Sequence, residues 1–284
     1  MVLDLLIDSL IDNVKILPVL FLTFLLMEYI EDRMQDGTRR KMKEAGKFGP
    51  IVGSVLGAIP QCGFSAAASN LYAGKVITMG TLIAIYLSTS DEMLPIMISE
   101  KASPVIIAKI IGLKIVYGMI AGFVVDFLAS KVLKKPDQDI DIHHFCEHEH
   151  CECGREGILP PAIKHTIKIF LFLLVISFVI GLAIEYCGLE TISQSVLNGT
   201  LAGPFICGII GLIPNCASSV FITALYLQGG ISFGTLMSGL FVGAGVGILV
   251  LFRANENKKE NAAIIGILYL LGVFGGVLLN ILIK

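Results

Sequence analysis

Tryptophan is missing from the 284 residues, and charge is scarce: Asp, Glu, Lys and Arg make up 15% of the chain against 55% hydrophobic residues. With a mean hydropathy of +0.83, the chain is too apolar for a soluble protein of this size. Without Trp, any aromatic belt at a membrane interface has to rest on Tyr and Phe. No glycine-lysine phosphate loop is present, so direct ATP drive from this chain is not expected. No nucleophile–base pair and no His inside an apolar run is found, which argues against an enzyme and a catalytic site. The net charge of −2 says little about partners, and no nucleic-acid partner is expected. Asp4, Asp8 and Asp12 stand where a cleavable signal peptide would be basic, so none is expected.

What is present is apolar length. A helix crossing a bilayer needs about 20 apolar residues. Such runs lie at 13–31, 77–98, 104–130, 165–186, 231–252 and 261–283. The expected class is therefore an all-α integral membrane protein with the lipid bilayer as its first partner.

The chain also says one phrase twice. Gly57, Ile59, Pro60, Gln61, Cys62 and Ser65 are answered 154 residues later by Gly211, Ile213, Pro214, Asn215, Cys216 and Ser219, with Ser218 alongside. Between 57 and 82, 11 of 26 positions are identical at that offset, and Gly112, Gly118 and Gly122 are answered by Gly266, Gly272 and Gly276. A fixed-offset match of this length is a duplicated half. Proline breaks a helix. In a membrane such a break is tolerated where it is buried in protein or lines a wet cavity. Paired breaks at matching positions of two halves point to a transporter's binding site.

Lysine and arginine set the orientation. Arg33, Arg39, Arg40, Lys41, Lys43 and Lys47 crowd the loop after the first run, whereas its counterpart near 187–200 has neither residue. The loop at 99–103 holds Lys101 alone, and its counterpart at 253–260 holds Arg253, Lys258 and Lys259. Matching loops thus prefer opposite sides, the mark of an inverted repeat. Inversion needs an odd number of crossings per half. The stretch 48–73, with Pro60 near its middle, supplies two arms too short to span. Read as a re-entrant helical hairpin, it leaves three spans plus one hairpin in each half and puts both termini outside. A single broken crossing would send Lys131, Lys134 and Lys135 outward, so the charges favour the hairpin. The expected organisation is a membrane repeat at 1–130, a cytoplasmic linker at 131–162 and a second repeat at 163–284, in the plasma membrane.

The run 77–98 carries Ser88, Thr89, Ser90, Asp91, Glu92 and Pro95. Continued as a helix, it sets Ser88 on one face with Asp91 or Glu92. Acids inside a span are functional by default; the bland alternative is a shorter span with both acids at the outer interface. The counterpart 242–247 is small and apolar, so the charge exists in one half only. Lys114 lies too deep to snorkel; it either pairs with Asp91 or Glu92 or is a second coupling charge. Asp126 reads as interfacial.

The linker gathers His143, His144, Cys146, His148, His150, Cys151 and Cys153 within eleven residues. Thiolate and imidazole are ligands for zinc, copper and similar ions. The crowding is unlike a zinc finger and fits a flexible capture or sensing segment, the bland alternative being a polar linker. No cofactor is required; a divalent or soft metal ion is expected as substrate or linker ligand.

The phrases at 59–65, 71–72, 77–82 and 88–95, the linker and Lys164–Phe170 resemble a ten-transmembrane heavy-metal exporter family, also labelled arsenic efflux or manganese transporter. The resemblance covers nearly the whole chain. It implies an integral membrane transporter whose ten segments are six spans and four hairpin arms. The reading from the residues is a secondary transporter that exports a heavy-metal or metalloid ion, with proton coupling a natural hypothesis. Its central site is lined by Pro60, Gln61, Cys62, Ser65, Ser88, Ser90, Asp91, Glu92, Pro214, Asn215, Cys216, Ser218 and Ser219. A carrier for a small organic or anionic solute, a channel and a homo-oligomer stay open.

Overall fold

The computed structural model describes residues 48–59, 63–90, 93–132 and 202–282 throughout, with Gly46 and isolated helical residues between 10 and 25 and between 159 and 178. Among the described residues every regular element is a helix. Five helices form a first set: α1 (Gly49–Gly57), α2 (Gly63–Ala73), α3 (Met79–Ser88), α4 (Met93–Ser99) and α5 (Pro104–Val132). Five more repeat the order at the 154-residue offset, to within a residue at each start: α6 (Gly203–Gly211), α7 (Cys216–Leu227), α8 (Phe233–Val242), α9 (Gly247–Ala254) and α10 (Lys258–Leu282). Among the described residues, four stretches are long and apolar enough to cross a membrane: Met79–Ser99, Pro104–Lys131, Phe233–Ala254 and Lys258–Leu282. The expected spans 13–31 and 165–186 and most of the linker lie outside the described residues.

Local chemistry repeats with the order. Pro50 and Pro204 open α1 and α6, where a missing N–H costs nothing. Thr78 and Ser232 cap α3 and α8 by accepting from Thr81 N and Thr235 N. A side chain from the long returning helix completes each cap. Asp126 of α5 accepts from Gly80 N at 2.8 Å and from Thr78 Oγ1 at 2.7 Å. Asn280 of α10 accepts from Gly234 N at 3.1 Å and from Ser232 Oγ at 2.8 Å. Asp126 thus has a structural task at the end of its span.

Packing follows small residues. Gly80 and Gly122 let α3 and α5 cross backbone to backbone, since a Cβ at Gly122 would lie 2.7 Å from Gly80 O. Gly53 abuts Thr81 and Ile85, and Gly57 abuts Ile85 and Ser88, so α1 runs beside α3 in the same direction. α2 touches α3 at Ser69 and Tyr86, and the short turn at 74–78 joins its end to the start of α3. In the second half, Gly208 adjoins Ser238 and Gly211 adjoins Gly239, so α6 runs beside α8. The α3–α4 and α8–α9 stretches lie inside, 75% and 83% buried, while α5 and α10 lie outside at 28% and 33%. Val116, Ile120 and Phe127 of α5, and Leu270, Phe274 and Ile281 of α10, face outward as a surface suited to lipid.

Two expectations need correction. The run 77–98 is not one helix: α3 stops at Ser88 and α4 starts at Met93. Ser88 Oγ bonds Ala84 O and Ile85 O, and Thr89 Oγ1 bonds Ile85 O, so hydroxyls take carbonyls of the last turn while Thr89 turns extended at φ −54, ψ 127. The helix that carries Ser88 therefore ends at that residue, and Asp91 and Glu92 lie outside the described residues. The run 231–252 is broken at the matching place, between Val242 and Gly247, where Gly245 adopts φ 54.

Because Asn280 does in one half what Asp126 does in the other, Asp126→Asn should leave thermal unfolding of the solubilised protein nearly unchanged. Asp126→Ala should cost roughly 1–2 kcal/mol, the loss of a helix cap.

Candidate functional site

The two interruptions are where elements of both halves meet. α2 of the first half packs on α9, beyond the second interruption, and α7 of the second half packs on α4, beyond the first. At the second interruption the fit is close. Ser69 Oγ lies 2.8 Å from Ser65 O, 2.7 Å from Gly247 O and 2.7 Å from Tyr86 OH, with Tyr86 OH 3.2 Å from Gly247 O. Glycine at 247 is what permits this approach. A Cβ there would stand 2.8 Å from Ser65 Cβ and 2.9 Å from the Ser65 backbone.

Lys114 closes the other edge of the same interruption. It is fully buried, and its Nζ donates to Leu240 O at 2.6 Å. Leu240 lies in the last turn of α8, where carbonyls lose their intrahelical partners and a cation is favoured. Nearby, Tyr117 OH donates to Leu271 O, and the Tyr117 ring lies 4.5 Å from that of Phe241. Residues 117 and 271 are counterparts at the repeat offset.

The residues expected from sequence divide three ways. Ser65, Ser88, Ser90 and Ser218 are buried, and Pro214, Asn215 and Ser219 are partly buried. Ser65 meets Gly247 across the halves, Ser90 Oγ bonds Ser88 O at 3.1 Å, and Ser218 Oγ bonds Asn215 O at 2.9 Å across the turn before α7. Cys216 is the first residue of α7. Pro60, Gln61, Cys62, Asp91 and Glu92, together with the metal-ligand candidates His143, His144, Cys146, His148, His150, Cys151 and Cys153, lie outside the described residues. Lys114, expected to pair with an acid or act as a charge, bonds a carbonyl at a helix end. Among the described residues, no group of three or more His, Cys, Asp or Glu could hold a metal ion.

Sequence reasoning passed over Ser69, Asn70 and Tyr86. All three are fully buried. The signal for the first two was there in the polar pair Ser69-Asn70, which follows Ala66, Ala67 and Ala68 in α2.

Residues 2–194 match a family model described as "Putative, 10TM heavy-metal exporter". The chain belongs to this family. No curated protein and no solved structure matches it. The heavy-metal exporter family supplies the membrane setting that the apolar outer helices call for, and the match takes in the first five helices whole.

Replacing Lys114 by Met should strip Leu240 O of its lysine donor and lower stability by about 1–3 kcal/mol, the range for an orphaned buried polar group. Thermal unfolding in detergent reads the loss, and Lys114→Arg should recover part of it.

Proposed function

We propose that the protein is a secondary transporter that exports a heavy-metal or metalloid ion from the cytoplasm. Its two halves are inverted, each with three spans and a re-entrant hairpin. The observation that carries this reading is the pair of helix interruptions at matching positions, each packed against an arm of the opposite half. The hairpin is supported by α1 running beside α3 while α2 leads back, after a short turn, to the start of α3. Inversion is supported by two contacts between the halves. Tyr72 OH donates to Glu260 Oε1 at 2.6 Å, joining the end of α2 to the start of α10. Lys109 Nζ lies 5.3 Å over the Phe233 ring, joining the start of α5 to the start of α8. Each contact brings the beginning of one broken span to the far end of the other, so the two run in opposite directions.

In this reading the cargo passes the interruptions and the Pro-Gln-Cys and Pro-Asn-Cys turns, with Asp91 as its charged partner and Lys114 as an internal counter-charge. Cargo binding displaces protons from such ligands, which is the basis for proton coupling. The His/Cys linker at 131–162 gathers or senses the ion on the cytoplasmic side of the plasma membrane, and both termini lie outside.

The test is transport in vesicles with a panel of Mn, Zn, Cu, Ni, Co and arsenite, for wild type, Asp91→Asn and a deletion of residues 141–153. Saturable movement of one ion is expected, abolished in Asp91→Asn and slowed at low cargo concentration by the deletion. If no metal moves and the variants match wild type, the proposal fails.

A further inference from the structure

The described charges are shared unevenly between the two ends of the bundle. Hydrogen bonds and short turns define one of these ends. Tyr72 OH donates to Glu260 Oε1, which joins the end of α2 to the start of α10. Thr78 Oγ1 donates to Asp126 Oδ2, which joins the start of α3 to the end of α5. The turn at 74–78 links α2 to α3, and residues 255–257 link α9 to α10. Lys75, Lys131, Arg253, Lys258 and Lys259 therefore stand at this end, and all but Arg253 are exposed. Its acids are Asp126, Glu256 and Glu260. Asp126 is taken up by the α3 cap, and Glu260 accepts from Tyr72 OH and from Asn257 Nδ2 at 3.3 Å. Among the described residues, the charges of the opposite end are Glu100, Lys101 and Lys109.

The repeat supplies an internal control. At the 154-residue offset, Lys75, Arg253, Lys258 and Lys259 correspond to Gly229, Ser99, Pro104 and Val105. The same scaffold is built twice, and in the other copy it has no cation at these places. Lys258 and Lys259 are also the first two residues of α10, where the helix macrodipole disfavours positive charge. They burden the helix that carries them, so their use lies outside it.

Aromatic rings mark how deep this end sits. Phe48, Phe127 and Phe252 are all exposed. Phe48 precedes α1, whose first residue abuts Thr81 near the start of α3, and Phe252 adjoins Arg253. Lys131 Nζ lies 4.4 Å over the Phe127 ring, so an ammonium rides on a ring that continues the outward apolar face of α5. A ring with a cation on top suits the boundary between hydrocarbon and headgroups.

We propose that this end of the bundle is a docking surface for anionic phospholipid headgroups, with Lys75, Lys131, Lys258 and Lys259 meeting the phosphates. The partner is a lipid rather than a soluble acidic protein because the cations and the lipid-facing rings share one rim. In the orientation proposed above, the leaflet is the cytoplasmic one, whose anionic lipids attract basic segments. The inference goes beyond the exporter reading and rests on the membrane setting alone.

The experiment titrates the full chain in neutral detergent with phosphatidylglycerol, phosphatidylcholine or glycerol phosphate, the last being the headgroup without its chains. Thermal unfolding reads the binding. Phosphatidylglycerol should raise the melting temperature, and less so as salt increases. The other two should leave it unchanged. Lys258→Gln/Lys259→Gln should melt at or above wild type before lipid is added, because two cations leave a helix start. Its half-effective phosphatidylglycerol concentration should rise about 25-fold, roughly fivefold for each lysine. Lys101→Gln, at the opposite end, should titrate like wild type. An equal response to phosphatidylcholine, or a double variant that titrates like wild type, overturns the inference. An equal shift in Lys101→Gln also overturns it, since net charge alone would then explain the effect. An equal response to glycerol phosphate overturns the choice of a lipid in favour of a free phosphate. None of these outcomes touches the exporter reading, which the cargo assay tests by itself.

Discussion

A broken helix inside a membrane has to find partners for the backbone groups it frees, because lipid offers none. That requirement shapes this protein. The carbonyls at the end of α3 are met by the hydroxyls of Ser88 and Thr89, and a carbonyl at the end of α8 by Lys114. The start of α9 is met by Ser69 and Tyr86 from the opposite half. Each solution brings polar atoms into the interior, and the interior of the bundle is where an ion could be handled without water. The outer helices α5 and α10 need no such devices beyond their caps, and they turn aliphatic and aromatic side chains outward instead.

Duplication gives the scaffold and divergence gives it direction. Helix order, proline starts, hydroxyl caps and glycine crossings recur at one offset, so both halves solve the same packing problem. They differ at a few interior positions: tyrosine against leucine at 86 and 240, glycine against methionine at 247 and 93, lysine against leucine at 114 and 268. These exchanges alter both hydrogen bonding and local shape: a Cβ at Gly247 would stand 2.8 Å from Ser65 Cβ. Each half also keeps a buried polar side chain without a hydrogen-bond partner among the described residues, Asn70 in the first and Thr223 in the second.

Much of the scaffold was legible. The 154-residue repeat recurs in the order of the helices, four of the apolar runs coincide with membrane-capable stretches, and Pro214 falls between α6 and α7. The interruptions of α3–α4 and α8–α9 were not, because apolar length alone reads as a continuous span, and the breaks depend on hydroxyls and glycines that are also tolerated inside membrane helices. In hindsight, Ser88-Thr89-Ser90 and Gly243, Gly245 and Gly247 carried the message. Lys114 was recognised as buried and charged, but the backbone carbonyl of Leu240 that it meets leaves no trace in a sequence. Ser69 and Tyr86 were missed for a related reason. Their importance lies in what faces them across the repeat, which only the fold brings near.

Two of the ties between the halves, at opposite ends of the broken spans, differ in kind. A hydroxyl-to-carboxylate hydrogen bond, as between Tyr72 and Glu260, is directional and weakens steeply once its angle opens. A charge resting on an aromatic face, as with Lys109 on Phe233, tolerates sideways travel of the ring beneath it. Of these two contacts one is therefore keyed and the other is a bearing, so the lysine contact accommodates sideways displacement that the tyrosine contact resists.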